Sequence, residues 1–402
     1  MIYQDASSFL LCEGEWKKMK ATKLNKLDKN EWKEISSIVL FGYGRQGKRL
    51  YKALKEDFNI PAIIENDLKK VGKTKEGTPI ISFSDASDVL KDNKIIVTTA
   101  EYHYKEIKKQ LMETGLQEYK DFVMYQQFVS EWYFEFKQKT YLLKTDIMVT
   151  PACSLNCENC SQFVPYWKNK EAFSLENLKQ DLDRYFSCVD YVMDMNIVGG
   201  EPLLYKELDE YIEYIGTNYR NKIGYLGIIT NGTIIPKEST LERVKRFDIG
   251  VSISDYSKEI PYSDRIDLLC QIFEQNGISY VRNANIQWFD FGFPKNIYNY
   301  SDADCPKHME NCNTICHCLH DKKVYYCGTA WAAERAGIFP KDENGYVDLE
   351  KIDKDNLEDK RKIIECCLGN IKNGYLKFCK VCGGYGNDND NRVITGKQCS
   401  RK

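Results

Sequence analysis

The chain has 402 residues, which is too long for one ordinary domain and predicts two or three. Its residues are 43% hydrophobic and 13% aromatic, enough to fill packed cores, and this excludes wholesale disorder. A net charge of −2 leaves no basic footprint, so we expect no nucleic-acid partner. No stretch approaches the ~20 apolar residues of a membrane span and the first residues do not resemble a signal peptide, so we expect no membrane partner and a cytoplasmic location.

The sequence predicts an α/β protein in five segments. A polar extension covers residues 1–34, and residues 35–125 alternate strands with helices, as a parallel Rossmann-like sheet does. This domain includes a Gly-Thr-Pro loop between its second and third predicted strands. An aromatic bridging helix is predicted over 126–144. Residues 145–300 contain the strands TDIMVT, MDMNIVG, GYLGIIT, DIGVSIS and ISYVRN, which predict a partial (β/α)6 TIM-type barrel with its chemistry on the loops after the strands. Residues 301–402 predict a small Cys-rich domain with a short hairpin.

The sixteen cysteines are unevenly distributed, with three at 153–160 and ten after residue 304. Because disulfides rarely persist in a reducing cytosol, such clusters indicate metal binding or catalysis. The isolated Cys12, Cys188 and Cys270 are expected to be small apolar packing residues.

One cluster places Cys153, Cys157 and Cys160 on a short loop after the first barrel strand. Three thiolates can hold three corners of a 4Fe–4S cluster, and with no fourth Cys nearby one iron would stay open to an external ligand. Structural zinc is the alternative, but it requires four closed ligands, and the following residues SQFVPYWK supply neither Cys nor His.

The segment TPACSLNCENCSQF resembles the signature loop of the radical S-adenosylmethionine (SAM) superfamily, and three further segments match that family in the same order. The resemblance implies a SAM-binding 4Fe–4S cluster and a 5′-deoxyadenosyl radical that abstracts hydrogen from a substrate. It also implies SAM contacts from GGEP, ITNGT and VSISD, namely from Gly199, Gly200, Glu201, Thr230, Asn231, Ser252 and Ser254. Glu201 is expected to pair with the SAM ammonium. The family usually has an aromatic or apolar residue before its third Cys, where this chain has Asn159.

The C-terminal cysteines resemble the twitch or SPASM extensions that carry auxiliary 4Fe–4S clusters. Cys318 and Cys327 stand at the ends of a predicted β-hairpin, and Cys379 and Cys382 form a close pair. We expect these four to hold one auxiliary cluster, since the full seven-Cys SPASM pattern is incomplete. Zinc on the same residues is the rival, and another of the C-terminal cysteines can replace Cys318. Three nearby histidines are expected at the hairpin surface: His308, His317 and His320.

The N-terminal domain contains Gly42, Gly44 and Gly47 between a strand and a helix, with Glu65 ending the next strand. This is the setting of a dinucleotide or phosphate loop, in which an acid binds the ribose. The domain also resembles the small Rossmann-like domains fused to sugar-modifying enzymes, including N-acetyltransferases of UDP-linked aminosugars. A nucleotide or nucleotide sugar, NAD, and an empty scaffold all remain open.

The leading hypothesis is therefore a radical SAM oxidoreductase or isomerase that oxidises, epimerises or dehydrates a sugar or nucleotide sugar. It would draw electrons from an external donor such as flavodoxin or ferredoxin. The alternatives are a maturase of ribosomal peptides and a non-catalytic, zinc-stabilised nucleotide-binding protein. Asp255 is a candidate proton-transfer group by position alone, and a satisfied loop carboxylate is the simpler interpretation.

Overall fold

The fold is taken from a computed structural model that describes residues 24, 26–99, 101–312, 317–386 and 389–399. Cys12, Cys316 and most of the N-terminal extension lie outside the described residues. Among the described residues, no helix has both the length and the apolar character needed to cross a membrane.

The N-terminal domain is one six-stranded sheet covered by helices. Its strands are β1 (Ile38–Phe41), β2 (Ile63–Ile64), β3 (Thr74–Lys75), β4 (Thr78–Ile81), β5 (Lys94–Val97) and β6 (Phe122–Met124). Its helices are α1 (Lys29–Trp32), α2 (Arg45–Leu54), α3 (Ser87–Asp92) and α4 (Glu101–Met112). The sheet order is β3–β4–β2–β1–β5–β6, and all neighbouring pairs are parallel except β3 and β4. The apolar runs of β1 and β5 are buried in the centre, as a parallel sheet covered on both faces requires.

The predicted Gly-Thr-Pro loop is wrong, because these residues form the antiparallel hairpin β3–β4. Its two-residue turn places Glu76 at φ 50° and Gly77 at φ 91°. Positive φ at both central positions is what a tight hairpin turn needs, and glycine supplies it without strain. Gly77 is therefore a turn residue, and strand β4 begins at the next residue, Thr78, and includes Pro79.

The bridging helix is buried and shorter than the predicted 126–144. It consists of α5 (Tyr125–Gln127), a π-helical turn (Phe128–Trp132) and α6 (Tyr133–Lys137) in succession. Gln138 then adopts the left-handed conformation at φ 54°, which ends the helix. The next strand begins only three residues later, at Tyr141.

The second domain contains the five predicted barrel strands in sequence order. They are β7 (Tyr141–Met148), β8 (Tyr191–Val198), β9 (Ile223–Thr230), β10 (Ile249–Ser254) and β11 (Tyr280–Asn283). The helices between them are α7 (Leu175–Cys188), α8 (Leu208–Asn218), α9 (Glu238–Arg246) and α10 (Ser263–Asn276). All neighbouring strands are parallel, so their carboxyl ends share one edge. Gly277 ends α10 in the left-handed conformation, as predicted. The sheet is open among the described residues, and the six-unit partial barrel stays a prediction.

The C-terminal segment extends this sheet. It contains β12 (Trp288–Phe289), β13 (Cys318–His320), β14 (Lys323–Tyr325), β15 (Tyr346–Asp348), β16 (Arg392–Val393), α11 (Cys305–Asn311), α12 (Gly328–Arg335) and α13 (Leu357–Cys367). The predicted hairpin is β13–β14, and β13 lies parallel to β7. The eight strands run β11–β10–β9–β8–β7–β13–β14–β15, while β12 pairs with β16. Short 3-10 helices cover Phe83–Asp85, Val164–Tyr166, Pro202–Leu204, Arg220–Lys222, Leu349–Lys351, Lys372–Gly374 and Lys377–Lys380.

Helix α2, which follows the glycine loop, packs on the second domain. Arg49 donates to both carboxylate oxygens of Asp194 at 2.7 Å, and its guanidinium lies 3.8 Å from the ring centre of Tyr225. Asp194 is in the middle of β8 and is largely buried. The two domains are therefore joined by an ion pair shielded from water.

Candidate functional site

The site is built at the carboxyl edge of β7, β8 and β9. The cysteine loop follows β7, and Gly199 and Gly200 follow β8. The Gly200 N–H donates to the carbonyl of Thr150 at 2.7 Å, and a Cβ at Gly200 would lie 2.4 Å from the carbonyl oxygen of Ala152. The glycine therefore permits close contact between the two loops, since any side chain would collide with backbone.

Glu201 links the loop after β8 to the loop after β9. Its carboxylate is fully buried and accepts from the Thr230 hydroxyl at 2.8 Å, from Asn231 N–H at 2.8 Å and from Leu203 N–H at 3.1 Å. Burial raises the pKa of Glu201 to about 7, although these hydrogen bonds oppose the shift. A carboxylate has about four acceptor positions, so three bonds leave one for a further donor.

Asn231 in turn contacts the cysteine loop. Its side-chain amide lies 3.5 Å from the Cys153 sulfur and donates to the Ser154 hydroxyl at 3.1 Å. Its amide oxygen accepts from Thr233 N–H at 2.9 Å, which fixes the orientation of the side chain. The structure thus brings together predicted site residues from three separate segments: Cys153, Glu201, Thr230 and Asn231.

Of the three loop thiols, Cys157 is buried while Cys153 and Cys160 are partly exposed. A fourth thiol, Cys399, lies near Cys157 and Cys160, although the sequence predicted no fourth Cys nearby. Burial raises the pKa of Cys153 to about 12, partly offset by the Leu155 N–H. Burial also raises the pKa of Cys157 to about 12, opposed by a hydrogen bond from Gln398, and raises that of Cys160. Since metals bind the thiolate, coordination has to supply the free energy of deprotonation. Among the described residues, no three Cys, His, Asp or Glu side chains converge as a metal-binding group.

The polar positions at the end of β10 are engaged with protein groups. The Ser252 hydroxyl accepts from the Asn283 amide at 3.0 Å, and Ser254 hydrogen-bonds the hydroxyl of Tyr256. Asp255 is buried and accepts from Ser257 N–H at 2.8 Å and from Arg282 Nε at 2.7 Å. Burial raises the pKa of Asp255, but these hydrogen bonds outweigh it and the net shift is downward. Asp255 therefore has the contacts of a satisfied loop carboxylate.

A second group of thiols lies in the C-terminal segment and includes three of the four predicted ligands. Burial raises the pKa of Cys382 far above its ordinary value, and the neighbouring thiols of Cys312, Cys327 and Cys379 add to the increase. Backbone N–H groups face three of these sulfurs, with Gly384 3.4 Å from Cys382, Tyr385 3.5 Å from Cys312 and Ala330 3.4 Å from Cys327. A Cβ at Gly384 would lie 3.3 Å from the Cys312 sulfur, so Cys312 and Cys382 flank this glycine.

Cys318 lies elsewhere, in an apolar cluster with Met148, Tyr325 and Trp331. It begins β13 and pairs with Asp146 of β7 and Tyr325 of β14, so the strand fixes its side chain in this core. The sequence placed Cys318 at the end of the hairpin but did not show that β13 would join the sheet beside β7.

The prediction that the three histidines lie at the hairpin surface is wrong, since all three are buried. His308 bonds the Cys382 carbonyl at 2.8 Å and stacks on Tyr300, with ring centres 4.0 Å apart. His320 stacks on Trp331 at 4.2 Å, and burial lowers its pKa to about 3. His320 lies in β13, so docking of the hairpin on β7 accounts for its burial, whereas His308 lies in α11 and is covered by Tyr300. The isolated Cys188 and Cys270 are core residues, as predicted.

The predicted glycine loop and its acid also meet. The Glu65 carboxylate accepts from Tyr43 N–H at 2.9 Å and pairs with Lys70 at 3.2 Å. A Cβ at Gly47 would lie 2.1 Å from the Gly42 carbonyl oxygen, whereas a Cβ at Gly44 would meet nothing within 4 Å. The loop therefore packs tightly at Gly47 and is open at Gly44, where helix α2 begins.

One contributor was missed from the sequence, and a second was left among several alternatives. Gln398 reaches Cys157 from 241 positions away, and no local pattern around Gln398 marks it. Cys312 was available as one of the unassigned cysteines, but its spacing gave no reason to prefer it to Cys318. Both Gln398 and Cys312 reach their positions through contacts between segments that are distant in sequence.

Comparisons with known proteins find a family match over the part of the chain that contains the cysteine loop. Residues 147–269 match the model of the radical SAM superfamily, and residues 34–122 match a model described as C2185-like, N-terminal. A 93-residue segment, 23% of this chain, is 33% identical to GTP 3′,8-cyclase of Helicobacter pylori. The match spans only 28% of the length of that relative.

Solved structures of low overall similarity are also found. Streptococcus suis SuiB bound to S-adenosylmethionine matches with a TM-score of 0.30 and 22% identity, over 35% of this chain and 33% of SuiB. BtrN in complex with AdoMet and 2-DOIA matches with a TM-score of 0.35 and 16% identity, over 65% of this chain and 98% of BtrN.

Proposed function

We propose that this chain, whose residues 147–269 form a radical SAM domain, is an enzyme that cleaves SAM reductively and abstracts hydrogen from a sugar or nucleotide sugar. The observation that carries the proposal is the meeting of Cys153, Asn231 and Glu201 at one strand edge. These residues come from three separate segments that resemble the motifs of this family.

The donor type and the spacing of the three loop cysteines fit a site-differentiated iron–sulfur cluster. Cys153, Cys157 and Cys160 would hold three irons, and three thiols on one loop leave the fourth iron for SAM. When bound, such a cluster would supply the one-electron reduction of SAM, with cleavage of a C–S bond to methionine and a 5′-deoxyadenosyl radical that would take a hydrogen atom from the substrate. A one-electron donor such as reduced flavodoxin or ferredoxin would supply that electron.

The protein's own side chains and backbone would bind SAM and orient it. Glu201 keeps one acceptor position for the SAM ammonium while its other bonds fix Thr230 and Asn231. Gly199 and Gly200 let the loop lie close to the cysteine loop, so that SAM and cluster can share one site. Ser252 and Ser254 stand at the end of β10, on the same edge, and would line the SAM site. Cys157 and Glu201 are buried, which would keep water from this side of the site and protect a radical from side reactions.

An auxiliary 4Fe–4S cluster is the second part of the proposal, with Cys312, Cys327, Cys379 and Cys382 as its ligands. Cys312 and Cys382 flank Gly384, and Cys312, Cys327 and Cys379 lie close enough to Cys382 to raise its pKa, which supports this set. It replaces Cys318 of the sequence prediction by Cys312, because Cys318 packs in an apolar core. Zinc on the same four thiols is the rival, and iron and sulfide analysis separates the two.

The sugar substrate is supported by the N-terminal domain. Gly42, Gly44 and Glu65 lie at the carboxyl edge of its parallel strands, where such sheets bind nucleotides. We propose that this loop holds the nucleotide of a nucleotide sugar. The rival substrate is a ribosomal peptide, but a glycine-loop domain stands where a peptide-binding domain is expected in a maturase.

The catalytic test is SAM cleavage by anaerobically reconstituted, reduced protein. Wild type should release 5′-deoxyadenosine, and Cys153→Ala, Cys157→Ala and Cys160→Ala should each abolish it, while the buried Cys270→Ala serves as the matched control. Equal cleavage by the three loop variants would refute the assignment. Cys399, which lies near Cys157 and Cys160, should be replaceable by Ser without loss of cleavage if the site uses three thiols.

The substrate test is a thermal-shift series on the full chain with nucleotide sugars, NAD, free nucleotides and short peptides. Stabilisation by a nucleotide sugar supports the proposal. Stabilisation by peptides alone would favour the maturase, and a colourless, zinc-only protein would favour the non-catalytic regulator.

A further inference from the structure

Residues 395–399 lie against the cysteine loop and form a single antiparallel β-bridge with it. Gln398 pairs with Cys157, the Cys399 N–H donates to the Asn156 carbonyl at 2.8 Å, and the Glu158 N–H donates to the Lys397 carbonyl at 2.7 Å. Two backbone hydrogen bonds therefore flank the central thiol of the loop.

The Gln398 side chain uses both ends of its amide on this loop. Its oxygen accepts from Asn156 N–H at 2.7 Å, and its nitrogen donates to the Cys157 sulfur at 3.2 Å and to the Gly396 carbonyl at 2.6 Å. Because both its oxygen and its nitrogen are hydrogen-bonded, the Gln398 amide has one orientation. Its N–H therefore points at the Cys157 sulfur from a fixed direction.

The segment is anchored on both sides of this contact. Strand β16 pairs with β12, and the Thr395 hydroxyl donates to the Ile286 carbonyl at 2.9 Å. Gly396 has φ 80° and a Cβ there would lie 2.7 Å from the Cβ of Tyr256, so glycine is required for the chain to pass over this residue. Beyond the contact, Lys397 pairs with Glu158 at 2.8 Å on the surface.

We propose that residues 395–399 form a strap over the cysteine loop and that Gln398 is a positioning residue for the Cys157 thiolate. The inference rests on the proposed function, because it assigns Cys157 as a cluster ligand. An N–H donor aimed at a ligand sulfur stabilises negative charge on the cluster, which favours its reduced form. Residues 395–399 would thus influence the reduction potential of the cluster.

The first test uses the cluster-free full chain and needs no activity. Alkylation of Cys157 by iodoacetamide is followed by mass spectrometry and expressed relative to Cys188, a fully buried core thiol, so that global unfolding cancels. A chain ending after Ile394 lacks the strap and leaves Cys157 uncovered, so this ratio should rise about tenfold, the factor expected when the strap's hydrogen bonds no longer oppose access. Lys397→Met removes only the surface ion pair and should leave the ratio unchanged.

The second test measures the midpoint potential of the reconstituted SAM-binding cluster by an EPR-monitored redox titration. Gln398→Met should shift it to a more negative value than wild type, and Lys397→Met should not. An unchanged alkylation ratio, or an unchanged potential, would overturn the strap proposal. Failure of the proposed function would instead appear as the lack of any iron–sulfur signal in wild type, while the alkylation test remains readable.

Discussion

The carboxylate of Glu201 accepts a 2.8 Å hydrogen bond from the backbone N–H of Asn231, and the carboxyl group is completely buried. This contact ties the loop after β8 to the loop after β9, and Asn231 continues the connection to Cys153. Because Glu201 is buried only in the folded protein, folding changes the pKa of its carboxyl group.

Glu201 should make the cluster-free protein less stable as the pH rises. Burial raises its pKa from 4.5 to about 7, so between these values the folded chain keeps a proton that the unfolded chain releases. The contribution of the protonated Glu201 carboxyl to the free energy of unfolding is fully present below the unfolded pKa. It is lost as the pH rises through the folded pKa. Relative to Glu201→Gln, the free energy of unfolding of wild type should fall by about 3 kcal/mol across this window. Urea unfolding of both proteins at several pH values measures it, and parallel curves would contradict the prediction.

The auxiliary site should depend on Cys312 and not on Cys318. Cys312→Ser should reduce the iron content from about eight to about four atoms per chain, since one of two 4Fe–4S clusters is lost. Cys318→Ala should keep the iron and lower stability by about 1 kcal/mol, because the residue packs in an apolar cluster. Iron and sulfide assays with urea unfolding test both, and iron loss only in Cys318→Ala would restore the sequence-based ligand set.

Gly44 and Gly47 should respond differently to alanine. A Cβ at Gly47 would lie 2.1 Å from the Gly42 carbonyl oxygen, so Gly47→Ala should cost about 3 kcal/mol of stability. Gly44 has open space around it, so Gly44→Ala should cost about 1 kcal/mol or less. If the loop holds a phosphate, that new methyl group should still remove the thermal shift given by nucleotide sugars. If nucleotide sugars stabilise Gly44→Ala as much as wild type, the ligand does not bind at this loop.

How much the sequence could predict depended on whether the information was local. The strand-ending motifs of the second domain, the β13–β14 hairpin and the stop at Gly277 follow from periodicity and turn chemistry within a few residues. The hairpin's position beside β7 does not, because Cys318 meets Asp146 only after distant strands have paired. The same reason explains the buried histidines and the contact between Gln398 and Cys157: no pattern around either residue specifies its partner.

The Arg49–Asp194 pair should control the attachment of the N-terminal domain. Arg49→Met leaves the Asp194 carboxylate buried in β8 without the guanidinium nitrogen that bonds both of its oxygens, which should cost about 3 kcal/mol. The double variant Arg49→Met/Asp194→Leu removes the unpaired charge and should recover most of that loss, because an apolar pair can replace a buried ion pair. Lys52→Met, on the same helix, breaks an exposed pair with Asp248 and should change stability by less than about 0.5 kcal/mol. Urea unfolding of the four proteins measures the coupling, and equal losses in Arg49→Met and Lys52→Met would show that the interdomain pair contributes no more than a surface contact.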